Sequence, residues 1–391
     1  MEYIRLGKLV DLKQGLAINS HTNHLVCDYE TSLALLRIAD MPTKKKVVFM
    51  DEKTPDRYIA KEDDIIYTRT GQIGLVFTGQ KGVVHNNCFR VIPIDEQTLS
   101  KKYLFWVLSL PEVYSMANIY AAGAAQPDLP HTSFKKIKIP IFSLPVQNKI
   151  ASILSSYDNL IELNTRRIKL LEQMAENLYK EWFAYTKIKH SAKIVKIKDI
   201  VTIVRGLSYS SDEIDCEEGN NLINLKNINA FGGFRADGTK KYSGKYKQNQ
   251  IVKCGDLVMG VTDMTQDRRV VGSVALIPEI EGVSVITADL IKLVSNIPNY
   301  YLYAMFRFGN ISRHIAQFAN GANVIHLRPQ AVENIKIYLP EQTLIDKYVD
   351  FVTPLFSEIA ALQSHSANLT RQRDLLLPRL MSGQLTPLSN L

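Results

Sequence analysis

The chain has 391 residues, of which 46% are hydrophobic and 22% are charged. These proportions are those of ordinary globular proteins, so they exclude the disordered and fibrous classes, and the length suffices for about two to three domains. The formal net charge of +8 permits an anionic partner such as nucleic acid but does not require one.

Cysteine usage and hydropathy indicate a reducing compartment and no membrane span. The sequence shows no CxxC pair and no secretory signal, so we predict a cytoplasmic location. The long apolar runs 103–127 and 301–325 are interrupted by charged side chains, which hydrocarbon excludes, and we interpret both as core helices of a soluble protein. The four cysteines are Cys27, Cys88, Cys216 and Cys254.

The first predicted element is a short apolar strand that runs into a glycine turn. Residues 4–16 (IRLGKLVDLKQGL) have this pattern, and residues 195–207 (VKIKDIVTIVRGL) repeat it with Gly15 and Gly206 in register. A repeat of this kind predicts an internal duplication, which decides the architecture of the whole chain.

Further strands, loops and a helix continue the repeat in collinear order. The segment that begins at Ala34 aligns with the one that begins at Ile223, and Lys61 aligns with Lys253. Each half then has a polar loop, an apolar strand, a helix, a glycine-centred polar loop and an Ile-Lys-Ile tripeptide. We therefore predict two similar heads of mixed α/β structure.

A long helix is predicted over residues 147–183, which contain neither Gly nor Pro. At 1.5 Å per residue it would be about 55 Å long. Apolar residues recur at the a and d positions of successive heptads, a pattern typical of a coiled coil. The predicted seam residues are Ile150, Leu154, Tyr157, Ile161, Asn164, Ile168, Leu171, Leu178 and Trp182.

The same seam recurs in a second helix predicted over residues 346–385. Two heptad helices in one chain most simply bury their stripes against each other, so we predict an antiparallel pair, with Asn164 and Arg373 as polar positions that fix its register. Pro354 predicts a kink or a restart of the second helix. Two unrelated core helices are the alternative. The second set of seam residues is Tyr348, Val352, Leu355, Ile359, Leu362, Leu369, Arg373, Leu376 and Leu380.

The predicted fold class combines α/β (mixed α+β) heads with a long α-helical antiparallel coiled coil in an internally duplicated, pseudo-two-fold chain. The heads are predicted to be held apart by the helix pair. The predicted segments are the heads 1–146 and 191–340, the long helices 147–190 and 341–385, and a tail, 386–391.

Motifs for enzymatic chemistry are absent from the sequence. We find no Walker A run, no GxGxxG after a strand and no adjacent prolines, which excludes the Asn/Asp-Pro-Pro-aromatic site of amino methylation. His21, His24 and Cys27, with Asp28 beside them, have the spacing closest to a metal site, but no second Cys/His pair supplies further ligands. We predict a polar surface loop there, no metal and no catalytic residue.

Polar loops on the two heads suit the reading of nucleic acid. Arg and Lys can form paired hydrogen bonds to guanine, and Asn and Gln to adenine, although an ordinary solvated loop is the alternative for each. Lys44, Lys45 and Lys46 are expected to touch phosphate rather than bases, if they touch DNA. The candidate DNA-binding residues are Arg69, Thr70, Gln72, His85, Asn86, Asn87, Thr262, Gln266, Arg268, Arg269, Asn320, Asn323 and Arg328.

Three features resemble the specificity subunit of type I restriction-modification systems. They are the duplicated head-plus-helix order, the heptad helix QNKIASILSSYDNLIELNTRRIKLLEQMAENLYKEWF and the ending QRDLLLPRLMSGQL. The resemblance covers nearly the whole chain and is most specific in the helices. It implies two target-recognition domains that each read one half of a split DNA sequence, separated by helices that set the spacing and dock modification subunits.

The resemblance also implies the partners. These are double-stranded DNA, modification (methyltransferase) subunits, expected to be two, and restriction (translocase and nuclease) subunits, which would carry the S-adenosylmethionine, Mg and ATP. A two-headed scaffold that does not bind DNA is an alternative, and a steep salt dependence of DNA affinity would argue against it. A single-chain DNA methyltransferase or nuclease is a further alternative, which binding of S-adenosylmethionine by the chain alone would favour.

Overall fold

The chain divides into two compact units in the computed structural model. Unit 1 consists of Met1–Ile161 with Asn368–Leu391, and unit 2 is Glu162–Ala367. Each unit therefore contains one head and part of each long helix. The predicted segment limits at 146, 190, 340 and 385 stay a prediction. The structure describes residues 1–123, 126–184, 192–214, 218–265, 267–321 and 323–385.

The head of unit 1 is made of short strands followed by short helices. The strands are β1 (Glu2–Arg5), β2 (Val10–Gln14), β3 (Val26–Cys27), β4 (Leu33–Leu36), β5 (Phe49–Met50), β6 (Ile59–Ala60), β7 (Ile65–Thr68), β8 (Val76–Phe77), β9 (Gly82–Val84), β10 (Cys88–Pro93) and β11 (Lys138–Ile141). The short helices are α1 (Lys101–Leu108), α2 (Pro111–Ile119) and α3 (His131–Phe134).

These strands form a four-stranded antiparallel sheet in the order β2-β10-β7-β8 and a five-stranded sheet in the order β3-β5-β4-β9-β6. In the five-stranded sheet β4 and β9 run parallel. β1 and β11 form a separate two-stranded antiparallel ribbon. Every residue of β7 is buried, which explains its continuous apolar run without alternation.

An aromatic cluster forms part of the core of unit 1. Tyr67 and Phe89 stack with 5.6 Å between ring centroids, and Phe134 of α3 lies 4.8 and 5.0 Å from them. Such pairs contribute about 0.5–1.5 kcal/mol each beyond their burial. The same core takes in residues from both long helices, namely Ile150, Ala151, Leu154, Leu377, Leu380 and Met381.

Unit 2 has the same kinds of element in the same order. Its strands are β12 (Lys193–Lys196), β13 (Thr202–Arg205), β14 (Asn220–Ile223), β15 (Lys240–Tyr242), β16 (Ile251–Val252), β17 (Leu257–Gly260), β18 (Thr262–Asp263), β19 (Val274–Leu276), β20 (Ser284–Ile286), β21 (Leu290–Val294), β22 (Ile325–His326) and β23 (Lys336–Leu339). Its short helices are α5 (Asn299–Arg307), α6 (Ile311–Ala316) and α7 (Pro329–Glu333).

The strand orders of unit 2 repeat those of unit 1. The sheet β13-β21-β17-β19 corresponds to β2-β10-β7-β8, the ribbon β12-β23 corresponds to β1-β11, and the parallel pair β14-β20 corresponds to β4-β9. The predicted duplication is therefore confirmed. In unit 2 the small pair β18-β22 joins the two polar loops, and in unit 1 a single bridge between Thr70 and Asp128 stands at the equivalent place.

The predicted alignment of Gly15 with Gly206 is confirmed by backbone packing. A side chain on Gly15 would lie 2.2 Å from the carbonyl oxygen of His85, and one on Gly206 would lie 2.0 Å from that of Thr287. Only glycine allows the chain to approach this closely. His85 and Thr287 are therefore equivalent positions of the two heads.

The predicted alignment of Ala34 with Ile223 is wrong by two residues. The amide of His85 donates to the Leu36 carbonyl at 3.3 Å, and the amide of the equivalent Thr287 donates to the Ile223 carbonyl at 2.9 Å. Leu36 is thus the counterpart of Ile223. An apolar run buried along its whole length offers no alternation by which sequence comparison could fix this register.

The two long helices are α4 (Leu144–Tyr179), continued by a π-helical turn over Lys180–Ala184, and α8 (Gln342–Met381). Both begin before the helices predicted from the heptad pattern, at Leu144 where residue 147 was predicted and at Gln342 where residue 346 was predicted. Pro145 is tolerated because the first turn of a helix has no intrahelical partner for its missing N–H.

Of the two predictions for Pro354, the restart of the second helix is wrong, because α8 continues through this residue, and the kink stays a prediction. Proline inside a helix removes one backbone hydrogen bond and costs about 3 kcal/mol. Val352 and Phe356 on either side of it are 0% and 6% exposed, and their burial offsets that cost.

Within unit 2 the long helices pack antiparallel. The side-chain amide of Asn164 donates to the Ser366 hydroxyl at 3.2 Å, and the Tyr348 hydroxyl donates to the Ala175 carbonyl at 3.3 Å. Residues later in α4 thus meet residues earlier in α8. Within unit 1, Arg373 forms a salt bridge with Asp158. The antiparallel pairing is therefore confirmed.

Every predicted seam residue is at least half-buried. Phe356 and Leu377 are also buried although they lie outside the seam, because each helix packs on a head as well as on its partner. The buried members are Ile150, Leu154, Asn164, Tyr348, Val352, Ile359, Leu362, Leu369 and Leu380, and the half-buried members are Tyr157, Ile161, Ile168, Leu171, Leu178, Trp182, Leu355, Arg373 and Leu376.

Candidate nucleic-acid interface

Two of the predicted loops of unit 1 are joined through their backbones. The amides of Arg69 and Thr70 donate to the carbonyl of Asn87, at 2.8 and 3.3 Å. Arg69 in turn accepts the amide of Leu129, which follows the glycine-centred loop. The structure therefore brings three polar loops together where β7 and β9 end, although they are distant in sequence.

The guanidinium of Arg69 is occupied inside this cluster. It forms two hydrogen bonds with the Asp128 carboxylate and a third, at 2.9 Å, with the side-chain oxygen of Gln14. Burial would raise the pKa of the Asp128 carboxyl, but hydrogen bonds from Arg69 and Thr70 hold that pKa below its usual range. Arg69 is paired with a carboxylate on one edge and hydrogen-bonded to a neutral amide oxygen on the other, so we interpret it as a brace for the loops and not as a base reader.

The remaining candidates of unit 1 differ in accessibility. His85 is half-buried, and its Nδ1 accepts the amide of Asn87 at 3.3 Å. Burial and the nearby Arg37 lower the pKa of His85, so its imidazole is neutral near pH 7. The backbone carbonyl of Asn86 accepts a hydrogen bond from the side-chain amide of Gln14 at 2.5 Å. The Gln72 side chain is exposed.

Unit 2 builds the same junction from other side chains. The amide of Val261, the counterpart of Arg69, donates to the Asp289 carbonyl at 2.8 Å, and the Thr262 hydroxyl donates to the Asp289 carboxylate at 2.8 Å. The amide of Leu327 donates to the Val261 carbonyl, as the amide of Leu129 does to the Arg69 carbonyl. The backbone is thus repeated while the chemistry of the side chains changes.

The longer loop of unit 2 is organised by Asp263, which is 1% exposed. One carboxylate oxygen accepts the amide and the hydroxyl of Thr265 at 2.8 and 2.7 Å, and the other accepts the amides of Val270 and Val271 at 2.6 and 3.1 Å. Burial would raise the pKa of the Asp263 carboxyl, but these donors hold it below its usual range. The loop is closed around one buried anion.

The outer side of this loop carries the predicted candidates. Arg268 is exposed with φ of 50°, and no carboxylate among the described residues pairs with it. Arg269 is exposed and pairs with Asp267. Thr262 is buried and faces Asp289, so it does not reach solvent. Gln266 lies outside the described residues.

The second polar loop of unit 2 adjoins the first through the pair β18-β22, in which Thr262 lies opposite His326. Asn320 exchanges backbone hydrogen bonds with His326, and the Asn320 side chain is exposed. Asn323 and Arg328 are exposed too. This pairing brings the two loops, each with exposed polar side chains, next to each other.

Sequence reasoning missed Gln14, Asp128, Asp263, Asp289 and His326, which hold or face the loops. Each adjoins a strand end or lies in a loop already identified. At these places the two halves of the chain carry different residue types at equivalent positions, such as Asp128 in the first half and His326 in the second. This difference is the signal that could have found them. Comparison of the two halves position by position would have singled them out.

Other predicted features lie apart from these loops. Lys44, Lys45 and Lys46 are exposed beside a 3-10 turn. Across the described ranges, His21, His24 and Cys27 included, no group of three or more His, Cys, Asp or Glu could hold a metal ion. Of the helices that the structure describes, none combines the length and the hydropathy that crossing a bilayer requires.

Comparison with known proteins gives consistent results for sequence and fold. The chain is 25% identical over 347 residues to the type I restriction enzyme MjaIX specificity subunit of Methanocaldococcus jannaschii, covering 82% of this chain and 77% of the relative. It is 24% identical over 311 residues to the MjaVIII specificity subunit of the same organism, covering 73% and 71%. These matches extend over most of both proteins.

A solved structure shares the fold. The type I restriction-modification S subunit from M. genitalium superposes with a TM-score of 0.59 at 15% identity, covering 97% of this chain and 96% of that one. The family described as type I restriction modification DNA specificity domain matches residues 1–173 and again residues 190–369. The chain therefore belongs to the family of type I restriction-modification DNA specificity domains, which it carries twice.

Proposed function

We propose that this chain is the DNA sequence-specificity subunit of a type I restriction-modification enzyme. The observation that carries the proposal is the repeated loop junction with exchanged side chains, in which Arg69 and Asp128 of the first head are replaced by Val261 and His326 in the second. A common backbone frame that carries different exposed polar side chains, such as Gln72 in the first head and Arg268 in the second, suits the reading of two different base sequences. The chain supplies recognition and no catalysis.

Each head is proposed to read one half of a bipartite site, with 1–146 and 191–340 as the recognition domains. Exposed donors on the loops are the proposed contacts, because only accessible groups can reach a base edge or a phosphate. In the first head Gln72 is exposed, and in the second Arg268, Asn323 and Arg328 are exposed. Thr262 and Arg69 are proposed to shape the loops.

Modification subunits are the proposed partners of the long helices, and two such subunits are expected from the duplication. On α4 within unit 2, Leu163, Leu170 and Met174 are 52%, 61% and 51% exposed. Their spacing of seven and four residues places them on one helical face, which an apolar partner surface would cover. Leu170→Lys should then prevent co-purification of the modification subunit without loss of helix content.

Catalytic groups and cofactors are proposed to lie in the partner chains. Methylation would need S-adenosylmethionine in the modification subunits, and cleavage would need ATP and Mg in the restriction subunits. The assembled enzyme is proposed to work on chromosomal double-stranded DNA in the cytoplasm.

The test is single-molecule sequencing of methylated adenines in cells with and without this gene. We expect a split sequence motif to lose its methylation when the gene is deleted and to regain it on complementation. An unchanged methylation pattern, in cells where the modification subunits are produced, would refute the proposal.

Exchange of a single head tests the division of labour. Residues 191–340 would be replaced by the same segment of a relative with a known target. One half of the methylated motif should change while the other half persists. If both halves change in a protein that still folds, the heads do not read independently.

The spacing between half-sites is proposed to depend on the long helices. One heptad inserted after Ile161 and another after Ala367 would lengthen both helices by about 10 Å, which equals about three base pairs of DNA. The half-sequences should persist with a gap longer by up to about three base pairs. Retention of the original gap would assign the spacing to the partner subunits.

A further inference from the structure

The ribbon of β1 and β11 in unit 1 presents an unusual pair of charges. Arg5 lies directly opposite Lys138 in the register, and both side chains are exposed. Like charges at opposed positions of an antiparallel pair are destabilising. No carboxylate among the described residues forms an ion pair with either side chain.

The surroundings of this pair are basic and aromatic. A cleft of about 450 Å³ opens beside it, and Tyr3 at its rim is 55% exposed. Three cations and no acid line the cleft, so their charges add. The lining residues are Tyr3, Arg5, Met116, Tyr120, Lys136 and Lys138.

Opposed cations occur at the equivalent place of unit 2 as well. Half-buried Lys196 lies directly opposite exposed Lys336 in the ribbon of β12 and β23. Ile194 and Tyr338, which also oppose each other, are 63% and 51% exposed, and Phe318 at the position of Tyr120 is 47% exposed. The opposed cations and their exposed apolar neighbours therefore occur twice in one chain, although the side chains differ between the heads.

Each ribbon borders the polar loops of its own head. Tyr120 stands two residues before Ala122, which exchanges backbone hydrogen bonds with Asp128, and Asp128 in turn holds Arg69. In unit 2, Phe318 has the same relation to Asn320 and His326. An anion held on a ribbon would thus lie next to the loops that are proposed to read bases.

We propose that the two basic ribbons, Arg5 with Lys138 and Lys196 with Lys336, hold the phosphate backbone of DNA beside each half-site. This inference rests on the proposed function and adds to it a contact that is independent of sequence. Paired cations match successive phosphates, and flanking aromatic side chains can lie against the sugars. The charge complementarity favours a polyanion over an acidic protein surface, because every cation in the cleft of unit 1 is without an ion-pair partner among the described residues.

The test measures how DNA affinity depends on salt. The full-length variant Arg5→Gln/Lys138→Gln is assembled with its modification subunits. The complex is then titrated against a labelled duplex of random sequence at salt concentrations between about 50 and 200 mM. Removal of two phosphate contacts should make the slope of log K against log salt shallower by about two. The matched control is Lys53→Gln/Lys81→Gln, which removes two exposed charges of the same head that adjoin the five-stranded sheet and do not line the cleft. Thermal unfolding checks that both variants fold.

The outcomes are distinct. A shallower slope in the ribbon variant alone, with the methylated sequence unchanged, supports the proposal. The variant Lys196→Gln/Lys336→Gln of the second head should show the same shallower slope. A ribbon variant with the wild-type slope, or a control variant with an equally shallow slope, overturns the proposal. Loss of the modification subunits from the ribbon variant at an unchanged slope also overturns it and would assign the ribbons to protein docking. Wild-type enzyme that shows no salt-dependent binding would refute the proposed function as well.

Discussion

The guanidinium of Arg307, at the end of α5, forms two parallel hydrogen bonds with the Glu172 carboxylate of α4, at 2.8 and 3.0 Å. Their side chains are only 18% and 27% exposed. Within unit 2 this pair fastens the head to the long helix. Bidentate pairs of this kind are geometrically selective as well as strong.

Removal of one partner of this pair should destabilise unit 2. Glu172→Ala leaves a guanidinium in a largely desolvated place, and we expect the free energy of unfolding to fall by about 3 kcal/mol. Urea unfolding followed by circular dichroism measures the change. The control is Asp237→Asn, which breaks the Arg235 pair whose side chains are 51% and 67% exposed and should cost less than about 1 kcal/mol. Equal losses would contradict the structural role of Glu172.

Two arginines that the sequence placed in one class should behave differently. Arg69→Ala removes three side-chain hydrogen bonds, two of them to the Asp128 carboxylate, and should lower the free energy of unfolding by about 2 kcal/mol. Arg268→Asn removes an exposed charge, and Asn tolerates the positive φ of this position. It should leave stability unchanged while DNA affinity falls, with a salt slope shallower by about one if the contact is to phosphate. If Arg268→Asn lowered stability, or if Arg69→Ala lowered DNA affinity without lowering stability, the roles assigned to the two arginines would be reversed.

The Asp263 network should make loop stability depend on pH. The pKa of Asp263 in the folded chain lies below its value of about 3.9 in the unfolded chain, so its contribution is fully present above pH 4 and is lost as pH falls through the folded pKa. The stability difference between wild type and Asp263→Asn should therefore be largest near neutral pH and shrink below about pH 4. Urea unfolding between pH 7 and pH 3 gives this difference, and its growth toward low pH would contradict the network.

The contact between Asn164 and Ser366 predicts a crosslink. Cysteines at these two positions should form a disulfide on mild oxidation, because the native side chains approach to 3.2 Å. Mobility on a non-reducing gel reports the bond. Single-cysteine variants control for the native thiols, and Asn164→Cys/Lys347→Cys should stay open, since the neighbouring Tyr348 contacts Ala175 instead. Crosslinking of both pairs alike would contradict the antiparallel register.

The sequence predicts the long helices well because heptad spacing is a local property. Ile150 and Leu154 of one seam and Val352 of the other are fully buried, as the spacing requires. The start of α4 was displaced and a restart at Pro354 was wrongly predicted, since the tolerance of Pro145 and Pro354 depends on position in the helix and on packing. The register of Ala34 was displaced for a different reason, as a fully buried strand carries no alternation.

The candidate site was predicted less completely than the helices. Composition located the polar loops, but it could not tell which side chains face inward. Arg69 hydrogen-bonds to Asp128, which is 59 residues away along the chain, and the Thr262 hydroxyl donates to Asp289. Such partners are set by tertiary contacts, and the pattern of one loop contains no information about them.

The Asp263 carboxylate determines the path of its loop from the buried side, and this leaves the outer surface open to evolutionary change. Met264 is 77% exposed and Arg268 is exposed, and neither side chain hydrogen-bonds to that carboxylate. Substitutions there alter the chemistry that solvent meets while the loop keeps its course. On the proposed function, in which these exposed side chains contact DNA, a lineage carrying this head could acquire a new target in single mutational steps, each of them through a folded intermediate.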